Sequence, residues 1–173
     1  RVDAGLITFD VEPRQAVPPR GTLGHLEVFD ALLGGLSPRG ETDLGAVLEA
    51  SAARIRRRSL VILISDLLGD AEAILKVVKA FKARKHEVLV LQVLDPAERD
   101  FPYEGPVVFE SLEERSELYC DATGLASLYR EEFARRLRLY EATFHRCDIS
   151  YAAFYTDRPW DEALGQLLGG RAP

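Results

Sequence analysis

The unbroken apolar run Leu60-Val61-Ile62-Leu63-Ile64, closed by Ser65-Asp66, constrains this chain more than any other segment. Five consecutive β-branched or leucine residues are too short for a buried helix and read as a strand covered on both faces, as in parallel sheets. Asp70 then opens a helix, with Ile74, Leu75, Val78 and Phe81 on its inner face. A second apolar run, Val88–Leu94, ends on Asp95. Strand, helix and strand in that order make a βαβ unit, whose crossover is right-handed in almost every known case.

The flanking segments extend this unit. Ala4–Phe9 reads as a strand ending on Asp10. Arg14–Val17 reads as a short antiparallel edge strand closed by Pro18 and Pro19, because proline cannot donate to a ladder. Leu23, Leu26, Phe29, Leu32 and Leu33 recur at helical spacing up to Gly34-Gly35. A second helix begins near Thr42–Asp43, carries Leu44, Val47, Leu48 and Ile55, and ends among Arg56, Arg57 and Arg58. Val107–Phe109 and Glu117–Cys120 flank an acidic turn and predict a β-hairpin inserted at about 103–121. A long helix follows, with Leu125, Leu128, Tyr129, Phe133, Leu137, Tyr140 and Phe144 on one stripe; Ile149–Tyr155 is a last strand, and Pro159–Leu168 a closing helix. The expected fold is one α/β domain over 1–173, a doubly wound, mostly parallel sheet with one antiparallel edge strand.

With 173 residues, 47% of them hydrophobic and 29% charged, the chain can bury one sizeable core and cover it. A formal charge of −6 argues against a dedicated nucleic-acid binder. No run has the length of a membrane span, and no leader pattern is present, so the expected location is cytoplasmic. Cys120 and Cys147 lack the spacing of a zinc site or a redox pair and read as small packing residues. The chain opens at Arg1 without methionine and runs almost at once into a strand, so it reads as a piece of something longer.

Signatures of catalysis are missing: no phosphate loop with its lysine, no dinucleotide fingerprint, no metalloprotease helix, no nucleophile elbow. His25, His86 and His145 are scattered and read as packing or surface residues. Arg54, Arg56, Arg57 and Arg58 read as a solvated helix end, and Arg135, Arg136 and Arg138 as a solvated helix face. What remains is positional. Asp10, Asp66 and Asp95 each end a predicted strand, where open α/β sheets bind ligands, and Thr42 enters from the loop before the second helix. Oxygen ligands there suit Mg2+ or Mn2+. The plainer reading makes Thr42 a helix N-cap and lets the aspartates satisfy loop amides.

Several ordered segments carry a resemblance. They are Pro38-Arg39-Gly40-Glu41-Thr42-Asp43-Leu44, Leu63-Ile64-Ser65-Asp66-Leu67-Leu68, Val93-Leu94-Asp95-Pro96, Asp100-Phe101-Pro102-Tyr103 and Gly105-Pro106-Val107 with Phe109-Glu110. Thr156-Asp157 with Asp161-Glu162-Ala163-Leu164 completes the set. Along essentially its whole length the chain resembles the bacterial domain-of-unknown-function family 58, which is similar to von Willebrand factor type A domains. The resemblance implies strand order 3-2-1-4-5-6 and a metal-ion-dependent adhesion site, with Thr42 as the second-loop ligand and Asp66 as the third-loop ligand. The Asp-x-Ser-x-Ser loop of such sites is absent, because the chain begins where the family's second strand should. The site is therefore expected to be incomplete and metal binding weak or lost, with another segment or a second copy filling the central strand position by strand exchange. The family further implies a protein partner, a MoxR-type AAA+ ATPase.

The expected function is a non-catalytic protein-interaction module, with Asp10, Asp95, Glu113 and Glu114 as rim or partner contacts. The alternative is a Mg2+-dependent phosphoryl-transfer enzyme or phospho-receiver on the same aspartates. It is the weaker reading, because no lysine follows Asp66 or Asp95 to neutralise a phosphate.

Overall fold

The computed structural model describes residues 2–10, 12–22, 24–37, 43–55, 57–111 and 116–169, without the side chains of 163 and 166–169. The βαβ unit forms as its pattern predicts. Strand β3 (Leu60–Ser65) leads through helix α3 (Ala71–Ala83) to strand β4 (Glu87–Leu94), and β3 and β4 pair in parallel, Ile62 opposite Leu89 and Ser65 opposite Gln92. Strand β7 (Ser150–Tyr155) joins the far side of β4, again parallel, giving the order β3-β4-β7. Asp70 caps α3 by accepting from the Glu72 amide at 2.9 Å. Ile74, Leu75, Val77, Val78 and Phe81 are buried along it, each worth roughly 1.5–3 kcal/mol when fully removed from water.

One core dominates. Leu63, Val88 and Val90 point into it from the sheet. Leu44 and Leu48 come from helix α2 (Leu44–Arg54), Ile74 and Phe81 from α3, and Tyr140 and Phe144 from helix α5 (Ala122–Arg146). The two helices α2 and α3 approach so closely that a Cβ on Gly45 would lie 2.9 Å from the Ala73 Cβ, a contact no flexible side chain can relieve. Gly45→Ala is therefore expected to destabilise the protein although alanine is the better helix former. A denaturation midpoint that rises instead would contradict this packing.

The structure corrects several expectations. The β-structure is not one sheet but is divided: β1 (Ala4–Phe9) and β2 (Pro13–Arg20) form an antiparallel pair that is not hydrogen-bonded to the β3-β4-β7 sheet. Among the described residues no strand pairs with the outer edge of β3. Strand β2 also continues through Pro18 and Pro19 instead of stopping before them. The ladder shifts register between Ala4 and Leu6, opposite those prolines, so the missing amides leave no regular rung open. Helix α1 (Gly24–Gly34) forms, but its leucines do not make a buried stripe: Leu26 and Leu33 are exposed, and His25 is the buried residue. A short helix the pattern did not suggest, α4 (Pro96–Asp100), follows β4; Asp95 caps it in a reciprocal capping box with Glu98, and Pro96 starts it.

The run at Leu60–Ile64 is buried on one face only. Leu60, Ile62 and Ile64 are 49%, 56% and 59% exposed, while Leu89, Leu91 and Ala152 form a small cluster beside them on the same face. Helix α6 (Trp160–Gly169) packs against β7 at the other side of the sheet. An apolar face at a free strand edge favours self-association. Ile62→Lys is expected to suppress concentration-dependent association in sedimentation velocity while leaving the melting temperature nearly unchanged. Equal association in the variant would show that this edge is not the sticky one.

The hairpin insertion forms as expected, from β5 (Pro106–Glu110) and β6 (Glu117–Asp121), Phe109 opposite Leu118.

Candidate functional site at the carboxyl ends of β3 and β4

The loop after β3 is the most tightly specified irregular segment near the strand ends. The Ser65 hydroxyl accepts from the Leu67 amide at 3.1 Å, and Asp66 Oδ1 accepts from the Leu68 amide at 3.0 Å. These side chains satisfy amides that have left the ladder, which is why serine and aspartate end this strand. Leu67 adopts a left-handed conformation (φ 57°) and is completely buried. Such a backbone costs a non-glycine residue of order 1 kcal/mol or more and persists only where the surroundings over-determine it.

Those surroundings come from α5. The Arg136 guanidinium donates to the Leu67 carbonyl at 2.8 Å and to the Gly69 carbonyl at 2.6 Å. The Tyr140 hydroxyl donates to the same Leu67 carbonyl at 3.1 Å. Arg136 is thus not part of a solvated face, as its neighbours suggested; it is the clamp on the loop.

From below, Gln92 ties the loop to the sheet. Its Nε2 donates to the Asp66 carbonyl at 2.8 Å, and its Oε1 accepts from the Tyr151 hydroxyl at 2.7 Å. Gln92 is only 3% exposed, and this pairing satisfies both ends of its amide. It is a site residue that no sequence motif marks. Its signal was there, one polar residue inside the apolar run Val88–Leu94.

Burial, and after it the neighbouring Tyr155, Glu141 and Tyr140, hold the Tyr151 hydroxyl well above the ordinary tyrosine pKa. Burial also raises Tyr140, against the opposing effect of Arg136. A raised pKa means the fold favours the protonated hydroxyl. That contribution is fully present below the unfolded value of 10.0 and is lost as pH rises through the folded values. Melting temperature is therefore expected to fall in alkaline solution above that value, and Tyr151→Phe to flatten the fall. An equal alkaline loss in the variant would assign it elsewhere.

The result of this scaffolding is an exposed Asp66 carboxylate on a fixed loop. Oδ1 is committed to the turn, and Oδ2 makes no bond among the described residues. Asp66, Gln92, Glu98, Glu132 and Arg136 line a cavity of about 330 Å³ there. Asp95 lies at the next strand end, on an adjoining groove that shares Glu98, Tyr129 and Glu132 with the first. Its Oδ1 accepts from the Ala97 amide at 2.8 Å, so it serves as a helix cap. Asp10 lines neither cavity. It is 7% exposed and ion-paired with Arg14 on the separate β1–β2 pair.

Thr42, Glu113 and Glu114 lie outside the described residues; the N-cap of α2 is Asp43, which accepts from the Ala46 amide at 3.0 Å. Among the described residues no three His, Cys, Asp or Glu side chains converge. Mg2+ bound by a protein keeps several waters and one or two carboxylates, so further oxygens would have to join Asp66 to complete a cation's shell.

No helix among the described residues is long and apolar enough to cross a membrane. The chain is similar in fold to an aerotolerance-related membrane protein from Bacteroides fragilis, at 18% identity and a TM-score of 0.56, over 97% of this chain and 79% of that one. It is similar to BatB from Bacteroides thetaiotaomicron, a conserved hypothetical protein, at 14% identity and a TM-score of 0.54, over 97% and 78%. In sequence it is 32% identical over 133 residues to the uncharacterized proteins Mb1516 of Mycobacterium bovis and Rv1480 of Mycobacterium tuberculosis, covering 75% of this chain and 40% of each relative. The uncharacterized protein MAV169 of Mycobacterium avium is 32% identical over 135 residues, 75% of this chain and 76% of that one. The chain thus spans well under half the length of the first two relatives. The family described as a protein of unknown function, DUF58, matches residues 2–143, and the chain belongs to it.

Proposed function

We propose that the chain is a non-catalytic protein-interaction module of the von Willebrand factor A type, and that it engages its partner through the Asp66 loop. The observation that carries this reading is the contrast at that loop. The Asp66, Leu67 and Gly69 carbonyls beneath the carboxylate are held by Gln92, Arg136 and Tyr140, while the carboxylate itself is exposed and its Oδ2 makes no bond among the described residues. A loop held in its binding geometry before the partner arrives loses little entropy on association. The partner implied by the family resemblance is a MoxR-type AAA+ ATPase.

A divalent cation at Asp66 would require oxygens beyond the described residues. Thr42 is one source by resemblance, and an acidic side chain of the partner is another. On this reading a Mg2+ or Mn2+ requirement belongs to the complex and not to the chain alone. Titration calorimetry against the purified ATPase of the same genome tests it. Binding in Mg2+ that weakens about tenfold or more in Asp66→Ala is the expected result. Equal affinity of the variant would remove Asp66 from the interface.

A further inference from the structure

Beside the Asp66 loop, an open groove of about 560 Å³ runs between the β5–β6 hairpin, α4 and α5. Its floor is aromatic. Phe101 is 6% exposed, held in a left-handed conformation (φ 44°) at the end of α4. Its ring lies 4.5 Å from that of Tyr129, 5.2 Å from Tyr103 and 5.9 Å from Phe109, centroid to centroid. Its walls are leucines turned to solvent, Leu118 at 61% and Leu128 at 58% exposed. Exposed apolar side chains in one contiguous groove mark interaction sites more often than isolated ones do.

The charge in the groove has one sign. Asp95, Glu98 and Glu132 line it, and among the described residues no lysine, arginine or histidine does. Glu132 shares its charge with Arg135 at 2.7 Å; among the described residues Asp95 and Glu98 have only amide partners, in the capping box. The Tyr129 hydroxyl, on the groove's lining, is raised above the usual tyrosine range, first by burial and then by the charge of Glu98. Aromatic faces backed by carboxylates attract an ammonium or guanidinium group, and the leucines attract what flanks it.

We propose that this groove is the docking site for a segment of a protein partner in which lysine or arginine is flanked by apolar residues. The proposal rests on the interaction-module reading but uses an adjoining surface whose lining does not include Asp66, so it requires no cation and no Asp66. The test uses the full chain in EDTA and fluorescence anisotropy. The probes are a fluorescein-labelled leucine–lysine peptide and its counterpart with glutamate in place of lysine. The basic peptide is expected to bind and the acidic one not to. Binding should weaken about tenfold in Leu128→Arg, weaken as salt rises, and persist in Asp66→Ala. Leu128 is largely exposed, so that variant should fold, and an unchanged melting curve checks it. No binding of the basic peptide, equal binding of both peptides, or undiminished binding to Leu128→Arg overturns the proposal. A dimer of the chain that Leu128→Arg dissolves would also overturn it, by assigning the groove to a second copy. Groove binding that survives while Asp66→Ala leaves ATPase affinity unchanged would sink the rim reading alone.

Discussion

Phe144→Ala is expected to lower the free energy of unfolding by about 3–5 kcal/mol. Phe144 is completely buried, its ring 5.8 Å from Tyr140 in a nearly parallel stack and 5.4 Å from Tyr151. It sits where α5 meets the sheet, in the same core as Leu63, Val88 and Val90. Removing the ring deletes buried apolar area and leaves a cavity. The walls cannot close on that cavity, because Tyr140 is pinned to Leu67 and Tyr151 to Gln92. A loss of this size is a large share of the stability of an ordinary domain, and urea denaturation at neutral pH measures it. A loss under about 1 kcal/mol would mean that α5 is not packed into the core as described.

The second large effect is expected from Arg136→Ala. One guanidinium nitrogen donates to the carbonyls of Leu67 and Gly69, and a charged donor makes such bonds worth about 1.5–3 kcal/mol. Tyr140 still donates to Leu67, so that carbonyl is not orphaned, and the net destabilisation should be about 2 kcal/mol. A functional consequence should accompany the thermodynamic one. The left-handed Leu67 loses its clamp, the Asp66 loop becomes an ensemble, and partner affinity falls about tenfold or more. Arg136→Lys should recover only part of it, since an ammonium is more strongly hydrated and its flexible stem is less pre-organised to reach both carbonyls. An affinity unchanged in Arg136→Ala would show that loop geometry is not what the partner reads.

The βαβ unit was legible because periodicity, strand length and end-of-strand aspartates all agreed there, and local and tertiary preferences point the same way. Asp66 was legible for the same reason, as the residue ending the clearest strand. The half-exposure of β3 was not, because Ile62 and Ile64 carry the same pattern whether or not a neighbour covers them. Arg136 was hidden among Arg135 and Arg138; what distinguishes it is contact with a loop 67 and 69 residues away, and no local window holds that. Gln92 was visible as an anomaly, but its role follows from register, since it pairs with Ser65 on one side and Ala153 on the other. The groove was the least legible feature. Its aromatics come from a loop, a hairpin and a helix that are separated in sequence, and they meet around the left-handed Phe101.

Hydrogen–deuterium exchange on the chain, with and without the purified MoxR-type ATPase proposed as its partner, in Mg2+, tests whether the Asp66 loop carries the interface. New protection is expected at the amides of residues 66–70, absent in Asp66→Ala, with the helices of the core unchanged. Binding that protects other segments and leaves 66–70 exchanging as in the free chain would contradict it.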